Sequence, residues 1–220
     1  SETNADTTYD GNDGFEYYLH TNQFGTFVGS DIIAHNTTGQ FYFQPGNMVY
    51  GQWYYISGVV GNNIGGSVPA SNLVDINDNC LSVAIGTPAR WMELPIANAG
   101  LDQQICGETV QLMADTTQNY VGIGAWDASV AVNWAPTYDI PDPSVTISDF
   151  LTNANNNPIN TNVVFTWTIT NGPCTHSDNV TVTYKPTPTA FAGNDTTVCG
   201  LTVDLNAIYS LGGPTASYGN

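Results

Sequence analysis

Apolar residues recur at every second position along most of this chain. Val163, Phe165, Trp167 and Ile169 alternate with Val164, Thr166, Thr168 and Thr170, and Val180, Val182 and Tyr184 alternate with Asn179, Thr181 and Thr183. A period of two with threonine on the alternate positions predicts strands buried on one face. Val110, Leu112 and Ala114 repeat the pattern more weakly, as do Val145 and Ile147, and Asn171-Gly172-Pro173 is a turn signal between two of the longer runs. Nearer the start, Phe15, Tyr17 and Leu19 alternate with Glu16, Tyr18 and His20, Phe41 and Phe43 flank Tyr42, and Leu81, Val83 and Ile85 form another alternating stretch. The run Trp53-Tyr54-Tyr55-Ile56-Ser57-Gly58-Val59-Val60 is apolar on both faces, which predicts a central strand. No segment carries the period of an amphipathic helix, so the expected fold is all-β.

An internal repeat organises these strands. Pro95-Ile96-Ala97-Asn98-Ala99-Gly100-Leu101-Asp102, followed by Cys106-Gly107, Val110 and Leu112, is matched by Pro188-Thr189-Ala190-Phe191-Ala192-Gly193-Asn194-Asp195, followed by Cys199-Gly200, Val203 and Leu205. The offset is constant at 93 residues (193 − 100), the size of one β-sandwich domain and too long for a solenoid unit. Residues 96–188 are therefore expected to form one module. Residues 189–220 are expected to be the start of a further copy, with too few strands to fold alone, so the polypeptide is expected to continue past Asn220. Residues 1–95 read as a module of a different type. Leu94-Pro95 and Lys185-Pro186-Thr187-Pro188 are short junctions in which proline favours a stiff, extended link.

Composition narrows the function. Nineteen acids face two bases, Arg90 and Lys185, for a net charge of −17. Nucleic-acid binding, which needs clustered Lys and Arg, is excluded on that balance, and an anionic membrane surface is disfavoured. Charged residues are only 10 % of the chain, so Thr, Asn, Ser and Gly must supply the polar surface, as in secreted proteins. No apolar stretch is long enough to span a bilayer, and no signal-peptide pattern opens the sequence.

Four cysteines, at 80, 106, 174 and 199, form no CxxC pair, so disulfides in an oxidising compartment are the better reading than a metal site. Cys106 precedes the Val110 strand and Cys174 follows the Val163–Thr170 strand. If those strands run antiparallel, the two cysteines share a pole and a Cys106–Cys174 bridge closes a loop of 68 residues (174 − 106), contributing roughly 4 kcal/mol. The alternative is two free buried thiols. Cys199 is the repeat equivalent of Cys106, and Cys80 has no evident partner.

Three stretches of the first module carry a family resemblance: Asp13-Gly14-Phe15-Glu16-Tyr17-Tyr18-Leu19, Gly51-Gln52-Trp53-Tyr54-Tyr55-Ile56-Ser57-Gly58-Val59-Val60-Gly61-Asn62, and Cys80-Leu81-Ser82-Val83-Ala84-Ile85-Gly86-Thr87-Pro88. They resemble a repeat of very large surface proteins of Bacteroidota. Ala97-Asn98-Ala99-Gly100-Leu101-Asp102 through Cys106-Gly107, closed by Phe165-Thr166-Trp167-Thr168-Ile169-Thr170-Asn171-Gly172-Pro173-Cys174, resembles the PKD-like, immunoglobulin-like repeats of the same proteins. The Trp-Asp-Phe-Gly-Asp-Gly signature of PKD domains proper is missing, so the likeness concerns architecture. It implies tandem immunoglobulin-like (PKD-like) β-sandwich domains of a gliding-motility type adhesin, exported by type IX secretion and held at the bacterial outer cell surface. It also implies O-glycosylation at Asp-Thr sites, with Thr7, Thr116 and Thr196 as acceptors. The Asn-linked sequons at Asn36, Asn179 and Asn194 carry little weight in a bacterium.

Candidate chemistry is sparse. His20, His35 and His176 are scattered, without metal-ligand spacing, and read as surface or edge-strand residues. Gly65-Gly66-Ser67-Val68-Pro69 lacks the second glycine of a nucleophile elbow, and no phosphate-binding glycine motif occurs. The chain is expected to have no catalytic residue and to require no cofactor. Calcium is the one ligand the loops suggest, at Asp10, Asn12 and Asp13, with Asp75, Asn77 and Asp78 or Asp139 and Asp142 as further acidic turns. Trp126, Trp134, Tyr54 and Tyr120 are the aromatic residues that sugar stacking would use if they are exposed; core packing is the competing role. The expected function is an extended, disulfide-pinned stalk segment in adhesion or gliding, partnered by neighbouring repeats and by an extracellular surface or glycan. The alternatives are a carbohydrate-binding or spacer region of a secreted polysaccharide-degrading enzyme, and self-assembly into fibres.

Overall fold

The computed structural model describes residues 13–23, 29–64, 74–77, 81–115, 122–152, 159–210 and 216–217. The protein is all-β: strands form every sheet, and among the described residues the only helical element is a single 3₁₀ turn at Gly29–Asp31. Among the described residues no helix is long and apolar enough to cross a membrane. The chain divides into two compact units, Ser1–Glu93 and Leu94–Asn220.

In the first unit, β1 (Asp13–His20) and β3 (Trp53–Asn62) form an antiparallel pair running from Asp13 opposite Asn62 to His20 opposite Tyr55. β2 (Ile32–Asn36) adds to the other edge of β1, with a register shift between Leu19 and His20. The short strands β4 (Ser82–Val83) and β5 (Thr87–Arg90) pair in succession along the remaining edge of β3. β3 is thus central, as its two-sided apolar run predicts, and each face of the sheet has its own core. Leu19 and Tyr54 pack with Met48 on one face, joined by Phe41 and Phe43. Tyr18 and Val59 pack with Val74 on the other, joined by Leu81 and Val83. Phe41 and Phe43 point inward and Tyr42 outward without a ladder partner, so the alternation there is real although no strand forms. Ile85, expected on a strand face, is 80 % exposed.

In the second unit, two sheets share one core. The larger follows the order β6 (Gln103–Cys106), β12 (Cys174–Lys185), β11 (Thr161–Asn171), β8 (Ile123–Ala128). The smaller follows β7 (Thr109–Gln111), β10 (Ser144–Ile147), β9 (Val132–Ala135). Val163, Phe165, Trp167 and Ile169 of β11 and Val182 and Tyr184 of β12 are completely or almost completely buried against Val110, Val145 and Ile147 of the smaller sheet. Every inward position predicted from the long alternations lies in this core. The β11–β12 hairpin turns through Gly172-Pro173, with Gly172 at φ +58°. All pairs are antiparallel except β6–β12, which is parallel.

The 93-residue repeat is visible as geometry. Gly100 at φ +85° lets its Cα approach the carbonyl of Met113; Gly193 at φ +103° approaches the carbonyl of Asn206 in the same way. Asp115 donates its N–H to Asn98 in the first copy. The equivalent pair in the second, Phe191 and Ile208, joins β13 (Thr189–Phe191) to β14 (Ile208–Ser210), which also carries β15 (Ala216–Ser217).

The expected Cys106–Cys174 bridge does not form, and both thiols are free. Cys106 lies beside Lys185 and Cys174 beside Asn171, at opposite ends of β12. Eleven residues of strand separate those ends, roughly 35 Å, against the 4.4–6.8 Å that a disulfide spans between Cα atoms. The premise of antiparallel strands fails: β7 and β11 both start at the Lys185 end and run the same way. Cys199 is also free and exposed; Cys80 lies outside the described residues.

Candidate functional site

The most concentrated chemistry lies on β1 of the first unit. Glu16, Tyr18 and His20 occupy successive positions of one face, and all three are buried, at 3 %, 3 % and 0 % exposure. On the opposite face Phe15 is 41 % exposed, so the polar set is the more deeply buried one, against the usual sense of an alternating strand. His35 comes from β2 and Ser57 from β3, on the positions opposite Tyr18.

The Glu16 carboxylate accepts from the Tyr18 hydroxyl at 3.0 Å and from the Val74 N–H at 3.0 Å, and meets His35 Nδ1 at 3.1 Å. The His35 ring stacks on Tyr18 with centroids 5.2 Å apart. Burial first, then the hydrogen bond and charge of Glu16, push the Tyr18 hydroxyl well above the usual range of a phenol, so it stays a donor. This cluster ties the Val74 segment to the sheet. Two residues further along β1, His20 Nε2 lies 2.8 Å from Ser57 Oγ. Burial lowers the His20 pKa, opposed by a backbone bond at Asn22 and by the charge of Asp31. The Ser57–His20 contact resembles half of a nucleophile–base arrangement, but both side chains are fully buried and no substrate reaches them in this conformation. Gly86 closes over the pair: a Cβ there would stand 2.6 Å from Tyr55 Cβ and 3.3 Å from His20 Cε1.

The histidines read as surface or edge-strand residues therefore separate. His20 is wholly buried, His35 is partly exposed beside Glu16, and His176 is exposed on β12. Glu16 is not among the site residues expected from sequence; the one signal that points to it is a glutamate set between Phe15 and Tyr17 in a chain of few charges.

The other candidate residues fall as follows. Asp10 and Asn12 lie outside the described residues, while Asp13 opens β1. Asp75 accepts from the N–H of Asn77, an ordinary Asx turn; Asp78 lies outside the described residues. Asp139 accepts from the Thr137 hydroxyl. Among the described residues no three His, Cys, Asp or Glu side chains come together as metal ligands. Thr196 is exposed; Thr7 and Thr116 lie outside the described residues. Of the aromatic candidates, Trp126 and Tyr54 are core residues and Trp134 packs against Phe165; Tyr120 lies outside the described residues. The exposed aromatic surface is elsewhere: Tyr42 at 70 %, and Trp53 at 50 % with the Arg90 guanidinium 4.7 Å from its ring centroid.

No known protein family matches the chain, and no curated protein matches it.

Proposed function

We propose that this chain is a repeat segment of a secreted bacterial surface adhesin or filament, serving as an extended stalk in adhesion or gliding and carrying no reaction centre of its own. The observation that supports it best is the 93-residue repeat, kept at the level of backbone geometry by the Gly100 and Gly193 turns. Unit repetition is how a chain gains reach. The strand order favours immunoglobulin-like modules: β7-β10-β9 facing β8-β11-β12 corresponds to the B-E-D and C-F-G strands of that fold. The first strand, β6, lies parallel to the last, β12, so tension applied at the ends of the module loads their hydrogen bonds together in shear. The acidic, lysine-poor surface fits an extracellular, outer-surface location, and the family resemblance fits type IX export. Neighbouring repeats of the same chain are the nearest partners, and calcium in the acidic loops is an optional stiffener.

The test is mechanical. In single-molecule pulling, the module held through residues 94 and 186 should unfold in one step, at a higher force than when it is held across the Gly172 hairpin. Equal forces in the two geometries overturn the load-bearing reading. A second reading, a carbohydrate-binding region of a polysaccharide-degrading enzyme, is favoured by the exposed Trp53 and Tyr42. It requires saturable binding to a neutral polysaccharide that Trp53→Ala abolishes.

A further inference from the structure

The parallel pairing of the first and last strands of the module extends beyond its backbone ladder. Gln103 to Cys106 pair with Val182 to Lys185 at a constant offset of 79 residues (182 − 103). The same offset continues upstream in side-chain bonds. The Ala97 N–H donates to His176 Nδ1 at 2.9 Å, the Ala99 N–H donates to Asp178 Oδ2 at 2.8 Å, and the Thr181 N–H donates to Asp102 Oδ1 at 2.8 Å. Residues 97–102 thus run beside 176–181 in register, with imidazole and carboxylate groups doing what carbonyls do lower down. Ala97 and Ala99 are buried, at 5 % and 2 % exposure, and belong to the common core. Their N–H groups need acceptors, and His176 and Asp178 supply them from the edge of β12.

The two acceptors differ in one chemical respect. A carboxylate remains an acceptor throughout the neutral and mildly acidic range. An imidazole accepts only while one ring nitrogen is bare; protonated, both nitrogens are donors. The bond to Ala97 fixes the neutral His176 tautomer, with its proton on Nε2. The other ionisable groups on the elements packed here are Cys174 and Asp178 on this half of β12 and Asp102 in the opening segment; β11 presents Thr168 and Ile169.

We propose that His176 is a proton-operated clasp: while neutral it holds the start of the module, Ala97–Asp102, on the edge of β12, and on protonation it releases Ala97 while Asp178 keeps Ala99. The module is then tight at neutral pH and loosened at its first residues in mild acid. This stands apart from the stalk reading, since it concerns a local opening that any function of the module would share.

Amide hydrogen exchange on the full chain tests it, with rates corrected for the intrinsic effect of pH. Between pH 7.5 and 5.5, protection at Ala97 should fall about ten-fold, while Val163 and Val182 in the same core hold theirs. His176→Asn places an amide oxygen near the position of Nδ1 and cannot titrate, so Ala97 should stay protected at both pH values. His176→Phe should leave Ala97 unprotected at both. Unchanged protection of wild-type Ala97 at pH 5.5, or a pH-dependent loss that persists in His176→Asn, overturns the proposal. Parallel losses at Ala97, Val163 and Val182 also overturn it, because they report opening of the whole module.

Discussion

A carboxylate taken out of water has to be held by donors, and Glu16 is held by three, from β1, β2 and the Val74 segment. His20, two positions on, has the opposite problem: burial favours its neutral form. Its folded-state pKa lies below the unfolded value, so the unfolded chain binds the extra proton first on acidification. The stability that His20 contributes is therefore complete above about pH 6.5 and is lost as pH falls from there toward the folded pKa. Exchange protection of β1 amides should drop over that window in the wild type and drop less in His20→Gln, which can still reach Ser57. Equal slopes in the two proteins would remove His20 as the cause. In the second unit, Tyr184 is fully buried and its hydroxyl, pushed up to about 12 by desolvation, has no partner among the described residues. None of these environments was legible from residue order. The alternation of β1 separated Glu16, Tyr18 and His20 from Phe15, Tyr17 and Leu19 correctly, but which set faced the deeper core depended on the segment around Val74 packing over it.

Among the elements, β12 has the widest consequences. Cys174 to Tyr184, eleven of its twelve residues, pair with β11 on one edge, and β6 and the side-chain-held segment lie along the other. That length also places Cys106 and Cys174 at opposite ends. Peptide mapping without reductant should find no Cys106–Cys174 cross-link, and both thiols should react with iodoacetamide in the native protein; a cross-linked pair would require a different strand arrangement. The sequence carried the strands themselves plainly, because Thr/Val alternation fixes which side chains share a face. It did not carry their direction across two sheets. The pole at which a strand begins is set by connections and sheet order, and β7 lies in the smaller sheet while β11 lies in the larger.

Across the molecule, the two copies of the repeat show what a core contributes. Leu112 is completely buried, whereas its counterpart Leu205 is 72 % exposed; Val110 and Val203 differ in the same way, at 4 % and 49 %. The residues are identical and the glycine turns that precede them, at Gly100 and Gly193, are alike, so the difference is the presence of β10, β11 and β12 around the first copy. Leu112→Ala should cost about 2–5 kcal/mol in the unfolding of the second unit, while Leu205→Ala should stay within about 0.5 kcal/mol. Urea unfolding followed by tryptophan fluorescence, which reports on Trp126 and Trp167 in that core, distinguishes them. Comparable losses from both substitutions would mean that Leu205 is buried in solution.

The sequence by itself determined the all-β class, the inward residues of the long strands, the central position of β3 and the 93-residue repeat. All of these follow from side-chain alternation or from direct self-similarity, which are local and need no partner. Tertiary structure alone decided that Glu16 and His20 are interior, that Cys106 and Cys174 cannot meet, and that His176 accepts from Ala97. Each depends on which distant segment lies alongside, and that is settled by sheet order and by how the segments between strands close over each face.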